Sequence, residues 1–285
     1  MTAFGGIEAG GTKWVCAVGT GPEELAATET FPTTTPAETI GRAVAFLRRE
    51  GPVRTVGIGS FGPVDLRPGS PTWGSITTTP KPGWASTDVA GTIGRELGVP
   101  VAFDTDVDVA ALGEHRWGAA RGLHTFCYVT VGTGIGGGAI VGGRIVHGLL
   151  HPEFGHMRIP HDLVADPFSG SCPYHGDCWE GLAAGPALEA RWGRPAEELA
   201  DEAAAWRLEA RYVALGLVNV VSVLSPERIV LGGGVMRAPG LLELVRAELD
   251  GLLAGYVTAE VVPPALGSLS GVLGAIALAE LSARP

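Results

Sequence analysis

An α/β fold in two domains is what this sequence predicts, from three observations. Its 285 residues exceed what a single compact core ordinarily holds. Short apolar runs of strand character alternate with segments whose apolar residues recur at helical spacing. The same strand–glycine–strand pattern also occurs once in each half, at Gly5-Gly6-Ile7-Glu8-Ala9-Gly10-Gly11-Thr12-Lys13 and at Val131-Gly132-Thr133-Gly134-Ile135-Gly136-Gly137-Gly138.

Residues 4–19 read as a β-hairpin that turns at Gly10-Gly11 and returns through Trp14 to Val18. The spacing of Ile40, Ala43, Val44 and Leu47 predicts a helix over Thr39 to Glu50. Val53 to Ile58 is a strand leading into the loop Gly59 to Pro63, and Val89 to Leu97 a helix stopped by Gly98 and Pro100. Val101-Ala102-Phe103 is a short buried strand that delivers Asp104-Thr105-Asp106-Val107-Asp108 at its carboxyl end, where open α/β sheets gather ligands. A helix over 109–117 carries the chain into the second half. There Phe126 to Val131 and Gly138 to Val141 are strands, and Gly142-Gly143 turns into Ile145-Val146. His147 to Gly181 is irregular and rich in His, Cys, Pro and Gly. Helices follow over 187–192, 197–224 and 240–253, with a strand at Arg228 to Leu231 running into Gly232-Gly233-Gly234, and Gly271 to Leu281 closes the chain as a helix. The smaller domain is expected to take residues 1–111 with about 272–285, and the larger one 112–271.

The formal net charge of -10 argues against a nucleic-acid footprint, which needs clustered basic residues. Glycine is abundant at 44 residues, yet no three-residue repeat occurs, so collagen is excluded and turns are favoured. Cys16, Cys127, Cys172 and Cys178 do not space as a secreted disulfide framework. The start of the chain shows no basic region followed by an apolar one, and Val213 to Leu224, broken by Asn219 and Ser222, is too short for the roughly 20 residues a bilayer requires. A soluble, cytoplasmic protein without nucleic-acid or membrane partners is therefore expected. Arginine is the usual cation here; the two lysines, Lys13 and Lys81, both lie in turn-marked loops, where a compact ammonium differs from a guanidinium fork.

Glycine lets backbone amides approach phosphate oxygens, because no Cβ intervenes. Gly132 to Gly137 matches the dinucleotide pattern G-x-G-x-x-G, with Glu153 near the acidic spacing. That motif needs a helix directly after its glycines, whereas here a strand, a turn and a strand follow. No G-x-x-x-x-G-K-[ST] is present. What remains is phosphate held in the turns of two hairpins, one per domain, as in actin-like and hexokinase-like nucleotide-binding folds; a plain tight turn is the alternative for either loop alone. An aspartate between the loops supplies what a kinase needs besides amides, a carboxylate to take a proton. Asp104, Asp106 and Asp108 do not start a calcium loop, since Val109 and His115 stand where glycine and glutamate are required. Helix capping by Asp106 or Asp108 is the other reading of that stretch.

His156, Cys172, His175 and Cys178 have the composition of a closed, structural zinc site, with three ligands in one tight turn. His161 or His151 are possible substitutes for the fourth ligand, and reduced, unliganded thiols are the competing reading.

Glu8-Ala9-Gly10-Gly11-Thr12-Lys13, the Asp106 segment running to Gly113-Glu114, the glycine run 132–138, Glu153-Phe154-Gly155-His156 and Cys172-Pro173-Tyr174-His175-Gly176-Asp177-Cys178-Trp179-Glu180 together resemble the ROK family of repressors, open-reading-frame proteins and sugar kinases. The match runs along essentially the whole chain in order. Gly62 to Leu66, Thr79 to Trp84 and the Cys172–Cys178 loop are similar to the fructokinase branch, whereas glucokinase-like members usually have a cysteine-richer zinc loop. The resemblance implies a two-domain actin-like, hexokinase-like (ribonuclease H-like) fold with an interdomain cleft, and ATP-dependent phosphorylation of a hexose, with fructose first. It implies Asp106 as general base, with Gly62, Pro63, Thr105, Asp106, Glu153, His156 and Glu180 at the sugar. Glu8, Gly10, Gly11, Thr12, Lys13, Thr133, Gly134, Gly232, Gly233 and Gly234 would hold ATP with Mg2+, Zn2+ would fix the loop, and a homodimer is expected. Glu8 stands where many relatives have Asp, and Asp108 where Asn is usual, so Asp108 is expected to raise the pKa of Asp106. A glucokinase or mannokinase of the same family is the nearest alternative. A sugar-sensing regulator is another, against which stand the acidic charge and an expected start directly at the first hairpin. An NAD-dependent oxidoreductase is the third.

Overall fold

A computed structural model of the chain describes residues 3–284. In chain order it forms β1 (Phe4–Ala9), β2 (Lys13–Gly19), β3 (Leu25–Pro32), α1 (Pro36–Glu50), β4 (Val56–Ser60), β5 (Ser75–Ile76), β6 (Thr87–Asp88), α2 (Val89–Leu97), β7 (Val101–Thr105) and α3 (Asp106–Trp117). There follow β8 (Phe126–Val131), β9 (Ile135–Val141), β10 (Arg144–Ile145), α4 (Trp179–Ala183), α5 (Gly185–Trp192), α6 (Ala203–Leu224), β11 (Arg228–Gly232), α7 (Leu241–Leu253), β12 (Val261–Val262) and α8 (Ser270–Ser282).

The chain divides into two compact units, residues 1–122 with 145–152 and 265–285, and residues 123–144 with 153–264. The boundary expected after residue 111 would cut α3, which runs unbroken to Trp117. Each unit is built on a five-stranded sheet, β3-β2-β1-β4-β7 in the first and β10-β9-β8-β11-β12 in the second. Counted from its own first long strand, each sheet has the order 3-2-1-4-5, so the two glycine turns, β1–β2 and β8–β9, occupy equivalent places.

In the first unit, strand alternation sends Trp14, Cys16 and Val18 to one face, against Ile40 and Val44 of α1 and Ile93 of α2, and sends Val15 and Ala17 to the other, against Val272 and Ile276 of α8. Local sequence sets the helix ends. Thr35 caps α1 ahead of Pro36, and Asp88 caps α2, its carboxylate accepting from the Gly91 N–H at 2.8 Å. Helix α8 approaches closely enough that a Cβ on Gly274 would overlap the Val109 carbonyl of α3, and one on Gly57 the Ala275 carbonyl, so glycine is required at both. In the second unit α6 packs against α4, α5 and α7.

Several elements depart from expectation. Strand β3 alternates exposed with half-buried residues, Phe31 alone being buried, and is held by its ladder to β2. Strand β9 starts at Ile135, three residues early, because Gly137 gives its side-chain space to Phe154. Helix α6 starts at Ala203, after a short 3-10 turn at Ala196–Glu198 that follows Pro195. No helix among the described residues is long and apolar enough to cross a membrane.

Candidate active site

Parallel pairing in the first unit puts Ala9 beside Ser60 and Ser60 beside Thr105, so β1, β4 and β7 end on one row. From that row leave the turn Gly10-Gly11-Thr12, the loop with the cis Gly62–Pro63 peptide, and Asp106. Strands sit about 4.8 Å apart, so Ala9 and Thr105 are roughly 10 Å apart. The turn is closed by Gly10 N–H donating to the Lys13 carbonyl at 3.0 Å and tied to the residue after β3 by the Thr33 hydroxyl, which donates to the Gly10 carbonyl at 2.7 Å. Thr12 and Lys13 are exposed at its tip, while Lys81 lies half-buried in its own loop.

Asp106 opens α3, and neither it nor Asp108 is the cap. Thr105 is, its hydroxyl accepting from the Asp108 N–H at 3.1 Å. Asp106 keeps partial access to solvent while protein packs densely round its carboxyl, and that burial pushes it up to about 6. Asp108 was expected to supply the push; instead its carboxylate is taken up by the Thr105 hydroxyl at 2.8 Å and by His147. Glu8 at the end of β1 is pushed up to about 7, first by burial and then by Asp106, with Lys13 and the Val272 N–H opposing. Its Oε2 is buried without a hydrogen-bond partner among the described residues.

Two histidines join the site, His147, which sequence reasoning did not single out, and His151, which it offered only as a substitute zinc ligand. His147 Nε2 lies 3.1 Å from Asp104 Oδ1 and 3.7 Å from Asp108 Oδ2. His151 Nε2 accepts from the Val64 N–H at 3.1 Å, beside Gly62 and Pro63. The signal for His147 was indirect: buried aspartates at 104 and 108 need a cation, and no nearby lysine or arginine was available in sequence.

In the second unit Thr133 and Gly134 form the β8–β9 turn, closed by Gly132 N–H to the Gly134 carbonyl at 2.9 Å. Glu180, on α4, accepts from the Ile135 N–H at 3.0 Å and lies against Gly134. Gly232-Gly233-Gly234 leaves the end of β11, parallel to β8, and Gly234 neighbours Gly132. The left-handed φ of 103° at Gly233, packed on Val131, admits only glycine. Glu153 is exposed just ahead of a 3-10 turn, Phe154–His156, whose His156 N–H donates to the Glu153 carbonyl at 3.1 Å.

His156, Cys172, His175 and Cys178 bring their ligand atoms within 4.8 Å of one another. His156 Nδ1 is 3.3 Å from His175 Nδ1, 3.7 Å from Cys172 Sγ and 3.6 Å from Cys178 Sγ. Tetrahedral zinc with bonds of about 2.0 Å to nitrogen and 2.3 Å to sulfur separates its ligands by roughly 3.3–3.8 Å, so the donor set fits that ion. The proposed substitutes are engaged elsewhere, His161 with Asp177 and the Asp166 carbonyl, and His151 with Val64.

A family model described as ROK family matches residues 4–281. The chain belongs to the ROK family. A fructokinase of Zymomonas mobilis is 45% identical over 97% of this chain and 96% of its own. Among solved structures, a ROK hexokinase from Thermus thermophilus shares 31% identity with a TM-score of 0.80, covering 99% of both chains. A ROK family glucokinase from Streptomyces griseus, solved with glucose and AMPPNP, shares 28% identity with a TM-score of 0.81 over 98% of this chain and 99% of that one. The mixed α/β fold is thus the actin-like fold of these ROK sugar kinases.

Proposed function

We propose that this chain transfers the γ-phosphoryl group of ATP to a free hexose, and that fructose is the substrate. The observation that carries the reading is the row Ala9–Ser60–Thr105, which sets a glycine turn fit for phosphate and the helix-opening carboxylate of Asp106 at one end of the sheet. Near-full-length identity of 45% to a named fructokinase supports fructose over glucose.

Phosphoryl transfer asks mainly for positioning and charge neutralisation. Asp106 takes the proton of the acceptor hydroxyl as that oxygen bonds to the γ-phosphorus; the bond to the β–γ bridging oxygen breaks and ADP leaves with its electron pair. Burial suits Asp106 to this, because a carboxyl near 6 is ionised at neutral pH yet basic enough to accept a proton. The turns at Gly10-Gly11-Thr12 and Thr133-Gly134 offer backbone amides to phosphates, with Lys13 adding a point charge, and Gly232 to Gly234 leave a side-chain-free surface for the adenosine. Gly62, Pro63, Thr105, Glu153, His156 and Glu180 face the sugar in this reading. The unpartnered Glu8 Oε2 fits a counter-cation, and Mg2+, when bound, neutralises phosphate charge there. Zinc at His156, Cys172, His175 and Cys178 would hold the segments carrying Glu153 and Glu180 in place. A cytoplasmic homodimer completes the proposal; size-exclusion chromatography with light scattering checks the dimer.

An assay coupling ADP release to NADH oxidation, run with fructose, mannose and glucose, tests the reading. Fructose is expected to give the highest kcat/KM. No turnover on any of the three removes the kinase, and a preference for glucose removes the fructose assignment alone.

A further inference from the structure

The segment Ile145–Pro152 belongs to the first unit, although the chain on either side of it belongs to the second. Its middle has no apolar anchor, since Gly148 N–H turns back to the Leu150 carbonyl at 2.9 Å and Leu149 is 84% exposed. Docking therefore falls to its two histidines. The hydrogen bond to Asp104 and the nearby Asp108 carboxylate, 3.7 Å away, push His147 up to about 10, which favours the charged imidazole at neutral pH. His151, lowered by burial, accepts a backbone N–H at Nε2, which only an unprotonated nitrogen does. One charged and one neutral imidazole thus clamp the two ends of the segment.

We propose that residues 145–152 are a strap, and that His147 is a positioning residue for the sugar acceptor. It lies between Asp104 and Asp108, the carboxylates two residues before and after Asp106, and so braces the strand end from which Asp106 leaves. Thr105 completes the link: its N–H donates to Asp104 Oδ1 at 2.8 Å and its hydroxyl to Asp108 Oδ2 at 2.8 Å. The strap braces the strand end that carries Asp106 through contacts that lie within the first unit. The proposal rests on the kinase reading above.

The test uses full-length His147→Ala, Asp104→Asn and the double variant, with KM measured separately for fructose and ATP and amide exchange followed by mass spectrometry. His147→Ala is expected to raise KM for fructose at least tenfold and leave KM for ATP within twofold. Exchange over residues 145–156 should accelerate while α6 stays protected. The double variant should lose no more than the worse single one, because both remove the same clamp. His147→Gln, which keeps a donor without the charge, replaces the alanine variant if that one folds poorly, with the same direction expected. Unchanged exchange over 145–156, or equal rises in both KM values, would overturn the strap. Exchange needs no turnover: a wild type inactive on every hexose sinks the kinase reading and the positioning role with it, whereas an active wild type with indifferent variants sinks the strap alone.

Discussion

Glu114→Gln probes α3, the helix that Asp106 opens, at its far end. The Glu114 carboxylate is fully buried in α3 and accepts four hydrogen bonds. Oε2 takes the N–H groups of Ala119 at 2.7 Å and Ala265 at 3.1 Å, and Oε1 takes the Leu266 N–H at 3.0 Å and the Ser270 hydroxyl at 2.7 Å. An amide replaces one acceptor by a donor, so one pair of partners must face an NH2 group. If that group faces Ala119 and Ala265, two backbone donors are orphaned. If it faces Leu266 and Ser270, the hydroxyl can rotate to accept, and one donor is orphaned. The second arrangement is cheaper. It still forfeits one bond to a charged acceptor, about 1.5–3 kcal/mol, and buries an unsatisfied N–H, about 1–3 kcal/mol, with partial overlap between the two. The expected loss is therefore about 2–4 kcal/mol, or a Tm fall of roughly 4–16 °C for a protein of this size. Denaturant titration and thermal melting read it directly. A Glu114→Gln protein within 0.5 kcal/mol of wild type, on the order of an ordinary surface substitution, would refute the accounting.

Asp106→Asn is expected to cut kcat about 10²–10⁴-fold with an unchanged melting curve, read in the coupled assay. Because the base must be ionised and its carboxyl is pushed up to about 6, kcat/KM should fall about tenfold per pH unit below that value and stay level above it; a limb near 4 would contradict the burial argument. Metal analysis should find one zinc per chain, and its removal by chelator should lower Tm and weaken fructose binding more than ATP binding, with Cys172→Ser doing the same. Gly274→Ala should cost about 3 kcal/mol in chemical denaturation, since its methyl would overlap the Val109 carbonyl where α8 crosses α3.

What could be read in the sequence was what chemistry writes locally. The first hairpin and α2 carry their own punctuation, Gly10-Gly11 in one and the Asp88 cap with Gly98 in the other, and both lie where expected. The zinc-type quartet was legible because three of its ligands share seven residues. Strand β3 was not, since an edge strand with solvated side chains has no apolar alternation and owes its existence to β2. Gly136 and Gly137 misled in the opposite sense. They were read as turn, whereas strand β9 uses Gly137 for the close approach of Phe154, and density of glycine does not say which purpose it serves. The contacts of His147 and His151 were hidden for a third reason: their partners, Asp104 and Val64, lie 43 and 87 residues away.

The position of Asp106, the base in the proposed reaction, therefore depends on groups that take no proton in it. Its helix is started by Thr105, pressed by α8 through glycines that let backbones touch, and tied at Glu114 to the chain that returns at Ala265. Its flanks are neutralised by a histidine from another segment. A carboxylate on a flexible loop would present many orientations to an acceptor hydroxyl, and only a fraction would lie in line with phosphorus. Fixing the backbone at both ends of α3 removes that loss before substrate arrives, which is where positioning catalysis gains its rate. By the same reasoning, substitutions at Thr105, Glu114, His147 and Gly274 should act on turnover in proportion to how far they loosen α3, whatever their distance from the sugar.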